Sequence, residues 1–270
     1  MDLPLSPQVF AIFSALIEER SGLHYGLQER ELLSDKLTTR AIEAGFTSLL
    51  DYYYFLRYDA DSGPEFEQLV DALVVGETYF FREWDQVVAL VDRELASLAR
   101  DRKVRIWSAA CSTGEEPLSL AMLLEDRGLL DRAEIVASDI SGRALARAKR
   151  GVYSRRALRQ VPERHLVERW LEVHPDEIRI DRSLIDRIDW RRINLLDDAA
   201  VGSIGTVDAI LCRNVLIYFR DDVITQVVDR LASALRPGGV LAVGVSESLL
   251  RFGTRLACEE RGGFFFYRRT

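Results

Sequence analysis

The stretch Val104-Arg105-Ile106-Trp107-Ser108-Ala109-Ala110-Cys111-Ser112-Thr113-Gly114-Glu115-Glu116-Pro117 decides the fold. A short apolar run passes into a loop of small residues, then into a helix start marked by two acids and a proline. Small residues let a ligand approach the backbone, and the helix start offers unbonded N–H groups. A phosphate would seek those donors but would be repelled by Glu115 and Glu116, so the site suits a cationic group better. The same residues also serve as a plain strand-to-helix turn, with the acids favouring the helix dipole.

Working outward, the pattern repeats. Glu134-Ile135-Val136-Ala137, Val207-Asp208-Ala209-Ile210-Leu211 and Val240-Leu241-Ala242-Val243 are further short apolar runs, separated by helical stretches near 116–126, 141–150 and 221–235. Strands alternating with helices predict an α/β domain with a mostly parallel sheet. The second run ends in Ala137-Ser138-Asp139, where an acid can accept both hydroxyls of a ribose or can cap the next helix. One interval, about 154–192, breaks the alternation. Glu177-Ile178-Arg179-Ile180-Asp181 and Arg187-Ile188-Asp189-Trp190 both alternate at period two, which predicts a small antiparallel β insertion.

Residues 1–75 read as a separate all-helical domain, with 76–270 forming the α/β domain. Ser6 then Pro7 starts a helix that Gly22 ends, and Val9, Phe10, Phe13, Leu16 and Ile17 make its apolar face. A second helix is expected over 29–44, a third capped by Thr47, and a fourth over 65–75 after a polar break at 59–64.

The net charge of -7 and pI near 5.2 argue against a nucleic-acid footprint, and the arginines read as scattered among acids. No apolar run is long enough to span a bilayer, and Met1-Asp2-Leu3-Pro4 does not open a secretory signal. Cys111, Cys212 and Cys258 are widely spaced without a CxxC pair, so reduced thiols and a cytoplasmic location are expected. His24, His165 and His174 sit in no ligand spacing, so no metal is expected.

The run Gly76-Glu77-Thr78-Tyr79-Phe80-Phe81-Arg82-Glu83 resembles the CheR signature, in which Asn-x-Thr-x-Phe-Phe-Arg joins a helical domain to a catalytic one. The loop 107–117 is similar to that family's cofactor loop. Ala137-Ser138-Asp139-Ile140, Gly151-Val152-Tyr153, Ile193-Asn194-Leu195-Leu196, 210–219, Leu235-Arg236-Pro237-Gly238-Gly239 and Gly244-Val245-Ser246-Glu247 follow in the family's order. One such motif would be weak; the ordered set covers nearly the whole chain.

The resemblance implies a Rossmann-like class I methyltransferase sheet and an S-adenosylmethionine-dependent enzyme, releasing S-adenosylhomocysteine. The implied substrates are glutamate side chains in the cytoplasmic helical region of bacterial chemoreceptors. It implies cofactor contacts at Thr78, Arg82, Glu116, Asp139, Asn194, Leu195, Arg213 and Asn214, with Arg82 and Tyr218 nearest the transferred methyl. Arg213 also reads as a structural ion pair, Tyr218 as a core residue, and Phe80, Phe81, Cys111 and Cys212 as packing. Methylation of another protein or a small molecule, or a non-catalytic adenosyl sensor, are the alternatives.

Two positions depart from the family pattern: Gly76 replaces the usual Asn, and Val245 replaces a frequent His. Lys36 and Arg40, four apart on the second helix, are expected to meet the acidic receptor. Some relatives also grip a pentapeptide tether through a glycine-containing loop in the β insertion. Here no glycine occurs from Val152 to Val201, so no tether binding is expected.

Overall fold

The computed structural model describes residues 3–270. They form two compact units, one reaching Val75 and including Tyr218–Val223, the other comprising Gly76–Ile217 and Ile224–Thr270.

The first unit contains α1 (Pro7–Ser21), α2 (Arg30–Glu43), α3 (Leu49–Tyr58) and α4 (Gly63–Leu73). Ser6 caps α1 by accepting the Val9 N–H at 3.2 Å, and Gly22 closes it at φ 80°. Ser48, not Thr47, caps α3, its hydroxyl accepting the N–H groups of Leu50 and Asp51. The polar break is shorter than the sequence suggests, because Pro64 lies in the first turn of α4. Phe13, Leu33, Leu37, Tyr52, Leu56 and Leu69 form the core.

Glu65 sits at the edge of that core. It accepts from Arg40 Nε at 2.9 Å and Nη2 at 2.7 Å, and from the Tyr52 hydroxyl at 2.7 Å. Lys36 Nζ donates to the Leu73 carbonyl at 2.9 Å. Both cations expected to meet the receptor are therefore engaged within their own unit.

The second unit opens with α5 (Trp84–Ala89) and α6 (Ala96–Asp101), joined by a π-helical turn over Leu90–Leu95. Then follow β1 (Val104–Ala109), α7 (Glu115–Asp126), β2 (Ala133–Asp139), α8 (Gly142–Arg150) and β3 (Val152–Ser154). Next come α9 (Arg164–Trp170), β4 (Leu171–Val173), β5 (Glu177–Ile180), α10 (Arg182–Ile185), β6 (Ile188–Arg192) and α11 (Asp198–Gly202). The chain ends with β7 (Val207–Cys212), α12 (Asp221–Ala234), β8 (Leu235–Ala242), β9 (Leu256–Arg261) and β10 (Phe264–Arg269).

The main sheet has the order β6-β2-β1-β7-β8-β10-β9. Its first five strands are parallel, whereas β10 runs antiparallel to both β8 and β9. Strand β7 is buried along its length, as strands covered on both faces must be. A second, antiparallel sheet has the order β3-β5-β4.

The insertion expected over 154–192 is thus corrected at its end. Strand β6 belongs to the main sheet, paired in parallel with β2 at Ile135 and Ile188. An edge strand buried on one face alternates at period two whichever way its neighbour runs, so periodicity alone could not separate the cases.

Asp208 is the charged exception inside β7, its side chain only 2% exposed. It accepts from Arg102 Nη1 at 2.9 Å and from the Arg105 backbone N–H at 2.8 Å, fastening β7 to the start of β1. Burial disfavours its charge, but Arg102 and the Arg105 N–H outweigh burial and hold the carboxyl below its usual range. Its contribution is therefore present above the unfolded pKa of about 3.9 and lost as pH falls through the lower folded value. We expect melting temperature to drop steeply below about pH 4 in the wild type. Asp208→Asn should melt lower at neutral pH and show a flatter acid limb.

Candidate active site

The strand order reverses at β1, with β2 on one side and β7 on the other. In open α/β sheets such a switch point leaves a crevice beyond the carboxyl ends of the strands. Those ends deliver the loop before α7, Asp139 at the end of β2, Asn194 and Leu195 after β6, and Arg213 and Asn214 after β7. The turn Gly244–Glu247 follows β8.

Backbone strain collects in the same places. Ala110 (φ 57°), Ser112 (51°), Asn214 (58°), Phe81 (63°) and Glu83 (49°) are the non-glycine residues with positive φ among the described residues. Each costs on the order of 1 kcal/mol or more and persists only where its surroundings fix it.

The fixing contacts are specific. Asp139 accepts from the Ser112 N–H through Oδ2 and the Ser141 N–H through Oδ1, both at 2.8 Å, so it also shapes the loop that it faces. Ile193 N–H donates to the Asp139 carbonyl at 3.0 Å, and Asn194 Oδ1 accepts from Leu196 N–H at 3.0 Å. Leu195 is buried beside them.

Arg213 lies at the centre, its side chain 2% exposed. Nη1 meets Glu116 at 3.1 Å, and Nη2 meets Glu83 at 2.9 Å and the Arg82 carbonyl at 2.8 Å. Of the two readings of Arg213, the ion pair is what its contacts display. Glu116 also accepts from the Ser108 hydroxyl at 2.6 Å. Burial pushes its carboxyl above the usual range, with Arg213 acting against that. Burial acts the same way on Glu83, but there Arg213 and the Asn214 amide prevail and its carboxyl lies low.

Two acids that no site expectation included prove to be organisers. Glu83 also accepts from Asn214 Nδ2 at 3.0 Å and from Val245 N–H at 3.1 Å. Glu247 accepts from the N–H groups of Asn214 and Gly244 at 2.7 Å and of Leu216 at 2.8 Å. Their signal in the sequence is position: Glu83 closes the run that starts at Gly76, and Glu247 closes the run that starts at Gly244.

Arg82 is half-buried; its Nη1 donates to the Glu77 carbonyl at 2.9 Å and its guanidinium lies 5.7 Å from the centre of the Tyr79 ring. Thr78 is half-buried in the same segment. Phe80 packs edge-on against Tyr153 and Phe81 against Trp84, both at 5.0 Å, as packing residues should. Burial drives the Cys111 and Cys212 thiols well above their ordinary range, which leaves neither as a nucleophile. Tyr218 groups with the first unit, where its carbonyl accepts the His24 N–H at 2.9 Å. Ligand-type atoms of Asp126, Glu163 and His165 come within 4.8 Å of one another, a grouping that no local spacing could reveal. Arg127 pairs with Asp126 at 2.6 Å there and supplies a competing cation.

A sheet of this order, with Asp139 ending β2 and Glu116 in the first turn of α7 beside the switch point, is the class I methyltransferase arrangement that fold and site define. Residues 76–261 match the CheR methyltransferase SAM-binding domain, and residues 8–74 match the CheR methyltransferase all-alpha domain. The chain belongs to the CheR methyltransferase family. Chemotaxis protein methyltransferase 2 of Vibrio cholerae is 34% identical over 252 residues, covering 91% of this chain and 87% of that protein. The chemotaxis protein methyltransferase of Escherichia coli is 32% identical, covering 91% and 86%. The probable biofilm formation methyltransferase WspC of Pseudomonas putida is 37% identical, covering 90% of this chain and 58% of that one.

The residues present fit the cofactor of a SAM-binding domain. Glu116 and Asp139 match a cationic nucleoside, and the loop before α7 keeps a buried Ser112 hydroxyl without a partner. That hydroxyl lies 3.8 Å from where a Cβ at Gly76 would sit, with no other atom within 4 Å. An asparagine would fit there and could bond it. One such bond is worth about 0.5–1.5 kcal/mol. That bond forms within the protein, so Gly76→Asn should raise the melting temperature by about 2–4 °C per kcal/mol gained. An unchanged melting temperature would show that the glycine costs the site nothing.

Proposed function

We propose that the chain transfers a methyl group from S-adenosylmethionine to glutamate side chains of bacterial chemoreceptors, forming methyl esters. The observation that carries this reading is the buried Glu116–Arg213–Glu83 bridge, which joins the cofactor loop to the segment presenting Arg82. In this reading Thr78, Arg82, Glu116, Asp139, Asn194, Leu195, Arg213 and Asn214 form the cofactor site. Asp139 accepts from the ribose, and Arg213 acts by holding Glu116 and the Arg82 backbone in place.

S-adenosylmethionine supplies, when bound, a methyl group on a positively charged sulfur. A glutamate acceptor has an ordinary pKa of about 4.3 and is already ionised at neutral pH, so this chain needs no general base. That agrees with the raised thiols and with Val245 standing where relatives often carry a histidine. The task left to Arg82 is to orient the acceptor carboxylate and exclude water around it. The same chemistry serves chemotaxis or a related signalling pathway.

The test is transfer of labelled methyl to receptor-bearing membranes followed by mild alkali. Release of the label as methanol is expected, since carboxyl esters are base-labile; alkali-stable label would point to a nitrogen acceptor and sink the reading. Arg82→Ala should lower turnover on receptor by at least roughly tenfold, the scale of one lost charge-assisted bond. Unchanged turnover would remove Arg82 from the chemistry.

We also propose that this enzyme does not use a receptor pentapeptide tether. The turn between β4 and β5 is closed by His174 N–H to the Glu177 carbonyl at 2.9 Å, and it contains Pro175 in place of a glycine loop. Proline removes a donor that an added strand would need. Titration with a free tether peptide should show no saturable binding; micromolar binding lost on deleting the insertion would overturn this.

A further inference from the structure

The arginines that read as scattered are not evenly distributed. Between Gly142 and Arg159 the chain has seven cations and no acid, although its net charge is -7. Residues 1–75, by contrast, hold thirteen acids against five cations. The unit expected to meet an acidic receptor is the acidic one, and its Lys36 and Arg40 are engaged internally.

The basic run occupies α8, β3 and the turn Arg155–Ala157. Arg143, Lys149, Arg150, Arg155, Arg156 and Arg159 are exposed, and Arg147 is half-buried. The run is fastened to the candidate active site at several points. Phe80 N–H donates to the Ala157 carbonyl at 2.8 Å, and the Tyr153 hydroxyl donates to the Thr113 carbonyl at 2.9 Å. Arg159 pairs with Glu77 at 2.7 Å, and its guanidinium lies 5.2 Å from the Tyr79 ring that Arg82 also approaches. The end of the basic run, at Ala157 and Arg159, therefore abuts the segment that presents Arg82.

We infer that this basic run, on the methyltransferase unit itself, is the docking surface for the glutamate-rich helix that carries the acceptor residues. The inference rests on the receptor reading above and adds where the substrate lies. The acceptor glutamate enters the site, and neighbouring glutamates of the same helix meet Arg155 and Arg156. Exposed charges of this kind act mainly on association and are screened by salt.

The test uses the full chain carrying Arg155→Glu and Arg156→Glu together, with circular dichroism and cofactor titration to show that fold and cofactor site persist. The probe is a fluorescein-labelled helical peptide with glutamate at every third or fourth position, followed by anisotropy. The double reversal should weaken peptide binding at least roughly tenfold at low salt, with the difference shrinking at high salt. The KM for receptor should rise while cofactor affinity stays constant. Equal peptide affinity in the two proteins overturns the docking surface even where the wild type forms base-labile ester. Absence of ester in the wild type, with peptide binding still lost in the variant, overturns the receptor reading instead. Preferential binding of a single-stranded RNA oligonucleotide over the peptide would also overturn the inference.

Discussion

The site depends on one buried cation. Arg213, at the end of β7, is held by Glu116 from the start of α7, and by Glu83 and the Arg82 carbonyl from the segment after Gly76. Three stretches far apart in sequence therefore share a single guanidinium. Removing one partner of such a buried set costs about 3–5 kcal/mol, because the remaining charges lose their compensation. The planar guanidinium spreads its donors over two nitrogens, Nη1 reaching Glu116 and Nη2 reaching Glu83 and the Arg82 carbonyl. The same bridge ties down Glu83 and Asn214, two of the residues with left-handed backbones, while Asp139 holds Ser112.

Around that bridge, work is divided by chemistry. Carboxylates hold backbone: Asp139 the loop after β1, Glu247 the turn after β7, and Asp208 the opposite end of the same strands. Aromatics fill the junction, with Phe80 on Tyr153 and Phe81 on Trp84. Little is left to bond making and breaking, which suits a reaction whose acceptor is already ionised. An enzyme of this kind works by placement, and a rigid set of loops on a buried sheet provides it.

Much of this was legible in the sequence because parallel strands buried on both faces leave short, dense apolar runs. The strands around Ile106, Val136, Ile210 and Leu241 were visible for that reason, and the loop at 108–117 was visible by its small residues. Strand β6 was misassigned because edge strands alternate alike in parallel and antiparallel sheets. The π-turned helix over 84–101 and the hairpin of β9 and β10 went unread, the latter because Arg268 pairs with Glu259 across it and Arg261 pairs with Glu259 along β9, charges that dilute its apolar signal. The roles of Glu83 and Glu247 depend on partners distant in sequence, which no local pattern encodes. The basic run at 142–159 was in plain view but vanished in a whole-chain charge that the acidic helical unit dominates.

The central claim is that the strand ends around Arg213 form the cofactor crevice. Amide hydrogen exchange of the protein with and without S-adenosylhomocysteine tests it most directly, since exchange reports protection segment by segment. Protection should concentrate in residues 110–116, 139–141, 193–196 and 213–217 and leave the antiparallel sheet of β3, β5 and β4 unaffected. Protection confined to other segments, or none at saturating ligand, would contradict the account.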